Sequence, residues 1–125
     1  MKLINPSECP PQNPSFSQAS IATGRTVYLA GQIGMDPGTG TLAGDDVVAQ
    51  TKQIFENVTC ILAAAGSSLE RVVKATIFIT DLADWPEMNS VYAEYLSGHA
   101  PPKSTVEVSG LALGARVEIE FTAEA

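Results

Sequence analysis

The chain has 125 residues, 45% apolar and 17% charged, a make-up that fits one soluble globular domain over residues 1–125 and is too short for two. Fourteen acidic residues against seven basic ones leave a net charge of −7. With no basic cluster between Lys2 and Arg116, that argues against nucleic acid as a partner. No apolar run approaches the ~20 residues that span a bilayer, and MKLINPSECPPQNPSF carries no secretory core, so no membrane partner is expected and the cytoplasm is the expected compartment.

In chain order, residues 5–15 are rich in Pro, Ser and Asn and are expected to form a loop. FSQASIA and TVYLAGQIG then flank Thr23-Gly24-Arg25, which reads as a hairpin turn between two strands. In MDPGTGTL, Pro37 and the glycines favour a turn. A phosphate-binding loop would need Gly-Lys-Ser/Thr and a strand–loop–helix order, which this stretch lacks.

Residues 45–65 predict a helix, with Val47, Thr51, Ile54, Phe55, Val58, Ile61, Leu62 and Ala65 on one stripe. Asp45 and Asp46 are expected in its first turn and Gly66 at its stop. RVVKATIFIT predicts a central strand, apolar on both faces apart from Lys74. A second helix is expected over 84–97, with Pro86 in its first turn, Met88, Val91, Tyr92, Tyr95 and Leu96 buried, and Gly98 after it. KSTVEVSGL and ARVEIEFTAEA predict the last two strands. In the latter, Val117, Ile119, Phe121 and Ala123 face one side and Glu118, Glu120 and Thr122 the other.

The order ββ-α-β-α-ββ predicts an α+β sandwich, a mixed six-stranded sheet with two helices on one face. The opposite face, with Ala30, Phe78 and Val106 or Val108, is left uncovered and is expected to meet another subunit.

Little classical enzyme chemistry is on offer. Cys9 and Cys60 form neither a disulfide framework nor a metal-ligand spacing and are expected to be reduced thiols. His99 has no second histidine or nucleophile elbow to work with, which leaves no zinc site and no Ser-His-Asp triad, and it reads as a solvated or helix-end histidine. Glu118 and Glu120 share a strand face at roughly 6–7 Å. They form a solvated edge unless a partner covers them, in which case one could do acid–base work. In AGQIG, a glycine at a strand end either is structural or lets a ligand approach the backbone. Lys103, after Pro101-Pro102 at a strand entrance, is either a surface lysine or a cation aimed at an anion.

Taken together, FSQA, YLAGQIGMDPGTG, QTKQIFENVTCILAAAGSSLERVVKATIFITDL, MNSVYAEYL and PPKSTVEVSGLALGARVEIE resemble the RidA/YjgF family of reactive-intermediate deaminases along nearly the whole chain. The resemblance implies a chorismate-mutase-like α+β fold and a homotrimer with pockets between subunits. It also implies hydrolysis of 2-imino and enamine acids, of the 2-iminopropanoate and 2-iminobutanoate type, to 2-keto acids and ammonia. The ligand would be a carboxylate-bearing imine or keto acid, with no cofactor and no metal.

The family's carboxylate-clamping arginine matches Lys103, its last-strand carboxylate Glu118, its pocket asparagine Asn89 and its strand-end glycine Gly31. A cysteine common two residues after the arginine matches Thr105. Phe16 stands where many deaminases have tyrosine, and Ala30 where many have serine. Lysine keeps the charge but loses the planar fork of arginine. The resemblance therefore admits a deaminase weakened or altered by Lys103, or a non-catalytic trimeric binder or regulator. A lysine-based Schiff-base catalyst would need Lys103 desolvated enough to be a free amine.

Overall fold

The computed structural model describes residues 1–9, 15–96 and 98–125, so residues 10–14 of the expected N-terminal loop lie outside it. Two short strands, β1 (Lys2–Ile4) and β2 (Ala19–Ile21), pair antiparallel as a separate ribbon. Five more, β3 (Thr26–Tyr28), β4 (Gln32–Ile33), β5 (Val72–Ile79), β6 (Lys103–Glu107) and β7 (Val117–Glu124), form the main sheet. Its order is β3-β7-β5-β6, with β4 also on β7. β3 and β4 act as one interrupted edge strand, since Leu29 N–H donates to the Phe121 carbonyl (3.0 Å) between them.

Helices α1 (Val47–Ala64) and α2 (Trp85–Tyr95) pack against each other, with α1 against β4 and β7. This is the expected two-helix α+β layering on a mixed sheet: β5 is central, antiparallel to β7 and parallel to β6 across the α2 crossover. Along β5 and β7, Ala75, Ile77, Ile79, Val117, Ile119, Phe121 and Ala123 are fully or almost fully buried, and they meet Ile54, Phe55, Val58, Leu62, Met88 and Tyr92 from the helices. Strand alternation and helical period therefore select one core.

Two expectations about pairing are corrected. The sheet expected to hold six strands holds five, and two further strands form the separate ribbon. The Thr23-Gly24-Arg25 turn, with Gly24 at φ +75°, does not close a hairpin: β2 pairs with β1, while β3 pairs with β7. Three-residue strands carry too little side-chain pattern to specify a neighbour, so their partners come from elsewhere in the chain. Ser20 Oγ ties the ribbon to β5 by donating to the Val73 carbonyl (2.6 Å).

The helix ends need smaller corrections. Asp46 is the residue before α1 and Asp45 precedes it, so neither is in the first turn. Ile61 is 37% exposed and leaves the buried stripe. Tyr95 is only half-buried, stacked on Phe55 at 4.6 Å. Gly66 stops α1 as expected: at φ +76° it lets Ser67 N–H reach the Leu62 carbonyl (2.8 Å), while its own N–H reaches Ala63 (3.1 Å).

Gln50 was not foreseen in the core. It is 1% exposed and satisfied on both sides, donating to the Gly44 carbonyl (2.9 Å) and accepting from Arg116 N–H (2.8 Å). The MDPGTG stretch is a turn, with Asp36 accepting from Gly38 N–H (2.7 Å) through its carboxylate and from Gly40 N–H (2.8 Å) through its carbonyl.

Candidate functional site

The candidate residues fall into two groups on opposite sides of the sheet. Lys103 opens β6, where it pairs with Ala75, and Thr105 pairs with Ile77. Ala75 and Ile77 are core residues beneath the helices, so alternation places Lys103 and Thr105 on the helix side, both half-buried. Pro101 and Pro102 hold the chain extended before the strand, and the Pro102 carbonyl accepts from Ala75 N–H (3.0 Å), fixing where the lysine enters.

One turn apart on α2, Asn89 and Tyr92 face this edge. Lys103 Nζ donates to Asn89 Oδ1 and lies 4.2 Å from the centre of the Tyr92 ring. A cation over an aromatic face is stabilised by the ring quadrupole. Even so, burial holds the ammonium down to about 8, below the ordinary lysine range. Among the described residues, the ion pairs are Met1 with Glu124 and Arg116 with Asp84, and Lys103 has no carboxylate within ion-pair distance.

Tyr92 is the residue that sequence reasoning placed in the core and did not connect to the site. It packs edge-on against Phe55 (5.6 Å), yet its buried hydroxyl has no hydrogen-bond partner among the described residues. Tyr92 also lines a cavity of about 410 Å³ with Phe16, Ser17, Leu96 and His99. Phe16 shares this cavity with Tyr92, and Lys103 is not among the residues that line it. A tyrosine in a largely apolar helical stripe, three residues from Asn89, was the available signal. His99 is a structural residue at the helix end, with Nε2 2.7 Å from the Val72 carbonyl.

The second group lies on the uncovered face. Glu118 pairs with Phe78 on one side and Ile33 on the other, and it is half-buried where Glu120 is exposed. Gly31 is there for the carboxylate: a Cβ on it would sit 2.5 Å from Glu118 Oε2. Ala30 beside it is exposed. The two glycines of AGQIG have different duties, since a Cβ on Gly34 would lie 2.5 Å from the backbone oxygen of Gln50 in α1.

Lys103 and Glu118 therefore point away from each other, two strands apart, with strands about 4.8 Å from one to the next. Within one chain they cannot grip the same small molecule. A second concavity of about 470 Å³, lined by residues such as Gln32, Met35, Asn57 and Cys60, contains none of the candidates. Among the described residues, no three of His, Cys, Asp and Glu converge as a metal site, and no helix is long and apolar enough to cross a membrane.

A mixed sheet with two helices on one face, a cation at the β6 entrance and a glycine-cradled carboxylate on β7 define a class, and comparison with known proteins gives it a name. The sequence profile described as Endoribonuclease L-PSP matches residues 8–125, and the chain belongs to the RidA/YjgF family. It is 38% identical over 122 residues to the 2-iminobutanoate/2-iminopropanoate deaminase of Rattus norvegicus, covering 98% of this chain and 88% of that one. It is 41% identical over 123 residues to Protein DfrA of Myxococcus xanthus, covering 98% and 94%. The crystal structure of RidA from the Antarctic bacterium Psychrobacter sp. PAMC 21119 matches over the full length of both chains, with a TM-score of 0.78 and 38% identity.

Proposed function

We propose that this chain is a hydrolytic deaminase of 2-imino and enamine acids, of the 2-iminopropanoate or 2-iminobutanoate type, releasing a 2-keto acid and ammonia. The observation that carries the reading is Lys103: a half-buried cation held by an amide oxygen and an aromatic face, with its charge unpaired among the described residues. A ligand carboxylate would supply the missing counter-ion. Relatives named 2-iminobutanoate/2-iminopropanoate deaminase at 38% identity support the same chemistry.

In this reading Lys103 holds the carboxylate, Asn89 orients the ammonium, and Thr105 and Phe16 shape the pocket. Glu118 comes from a neighbouring copy and positions the water that attacks the C=N carbon, while Gly31 and Ala30 leave that face open to the ligand. The opposite placement of the two groups is the argument for a homotrimer with its pockets between chains. Water and the imine balance the reaction, so no cofactor takes part. The net charge of −7 argues against nuclease action, despite the profile's description.

The test is to follow 2-iminopropanoate, generated in place by a dehydratase, with the wild-type chain and with Lys103→Arg. Faster loss than in buffer is expected. If neither protein exceeds buffer, the reading falls. The second reading, a trimeric binder or regulator without turnover, is favoured by the missing arginine fork and by the absent hydroxyls at Phe16 and Ala30. Melting-temperature shifts with 2-keto acids but no imine hydrolysis would select it.

A further inference from the structure

A lysine at the β6 entrance can do something that an arginine there cannot, which is to lose its proton and attack carbon. Two features favour the free amine: Lys103 is half-buried between α2 and the sheet edge, and no carboxylate among the described residues stabilises the charged form. Its contacts, Asn89 Oδ1 and the Tyr92 face, pull the other way by favouring the ammonium, but they leave the rest of the nitrogen uncommitted. The ammonium is held down to about 8 by burial, so that at neutral pH about a tenth of the molecules carry the amine. Lys2, Lys52 and Lys74 have no such setting: Lys2, Lys52 and Lys74 are all exposed.

We infer that Lys103 is a nucleophile that forms a Schiff base with C2 of 2-keto and 2-imino acids. The inference rests on the reading of this pocket as one for 2-imino acids, but in it Lys103 attacks the ligand as an amine instead of serving as the counter-ion of its carboxylate. With an iminium substrate, the Lys103 nitrogen adds to C2 and a proton passes from it to the substrate nitrogen. The C2–N bond then breaks and ammonia departs with the electron pair, leaving Lys103 joined to C2 as an iminium. Water adds to C2, and a proton passes from the new hydroxyl to Lys103. The C2–Nζ bond breaks toward nitrogen, giving the 2-keto acid and a protonated lysine, which returns its proton to the released ammonia. The sum is iminium plus water giving keto acid plus ammonium. The same linkage forms from the keto acid alone, by addition to the carbonyl and loss of water.

The experiment treats the wild-type chain with pyruvate and sodium cyanoborohydride at neutral pH, so that hydride reduces the C=N bond to a stable amine. Peptide mapping by mass spectrometry is expected to place one adduct, the keto acid less one oxygen atom, on Lys103. Labelling there should exceed that at Lys2, Lys52 and Lys74 by at least about tenfold. Lys103→Arg, folded by circular dichroism, should lose it. Equal labelling of all four lysines, or none on Lys103, overturns the inference. Imine hydrolysis without an adduct on Lys103 rejects the covalent route and leaves the deaminase reading standing. An adduct without imine hydrolysis upholds the nucleophile and rejects the deaminase.

Discussion

The two sides of the main sheet prepare their polar residues in different ways. On the helix side, Lys103 is held by partners from its own chain, Asn89 and Tyr92, and its chemistry is set by that packing. On the other side, Glu118 is placed by the absence of a side chain at Gly31 and lies on the face opposite the two helices. The first half is preorganised by folding, and the second is left for another molecule to complete. The contrast is what makes a site shared between chains the economical reading, and it can be broken in several ways.

The largest expected effect comes from confusing the two glycines. Gly34→Ala drives a Cβ against the backbone of α1, where neither side can yield, and should lower stability by about 3 kcal/mol, or roughly 10 °C in Tm. Gly31→Ala meets only the end of a flexible carboxylate, so its Tm should hold while imine hydrolysis falls. Thermal melts and rates on both variants check this. Equal loss of stability in the two would erase the distinction.

Next in size, Glu118→Gln should cut kcat/KM for imine hydrolysis by about a hundredfold with Tm unchanged. The sharper form mixes Glu118→Gln with Lys103→Ala chains after joint refolding. If one site draws on two copies, about a quarter of wild-type activity should return, since a random mixture gives one site in four both native residues. No recovery would mean that the halves do not share a ligand.

A smaller change tests the helix side alone. Tyr92→Phe removes a buried hydroxyl that has no partner among the described residues while keeping the ring under Lys103, and should raise stability by about 1 kcal/mol in denaturant melts. A loss of similar size would reveal a hydrogen bond made by that hydroxyl.

The smallest effect is in the pH dependence of stability. Lys103 titrates at about 8 when folded, below its unfolded value. The folded chain therefore binds fewer protons as pH rises past 8 toward the unfolded pKa, and stability should rise across that window. Below 8 the cost of the half-buried ammonium is fully present. Because the side chain keeps some solvent, the gain is on the order of 1 kcal/mol. Of the neighbours, Asn89 does not titrate, and burial keeps the Tyr92 phenol neutral by pushing it upward. Melts of wild type and Lys103→Met at pH 7 and pH 10 should show the gain in wild type alone.

Much of this protein could be read from order along the chain. The stripe from Val47 to Leu62, the Gly66 stop, and the alternation of Val117, Ile119, Phe121 and Ala123 are local patterns with local causes. Resemblance to a family picked out Lys103, Asn89, Gly31 and Glu118 as a set, but as positions without directions. Only the tertiary structure decided that β2 joins β1, that Tyr92 lies under the lysine, and that Lys103 and Glu118 turn to opposite faces. Strand pairing joins residues far apart in the chain, and a one-residue change of register would reverse every face, so no local pattern could supply it.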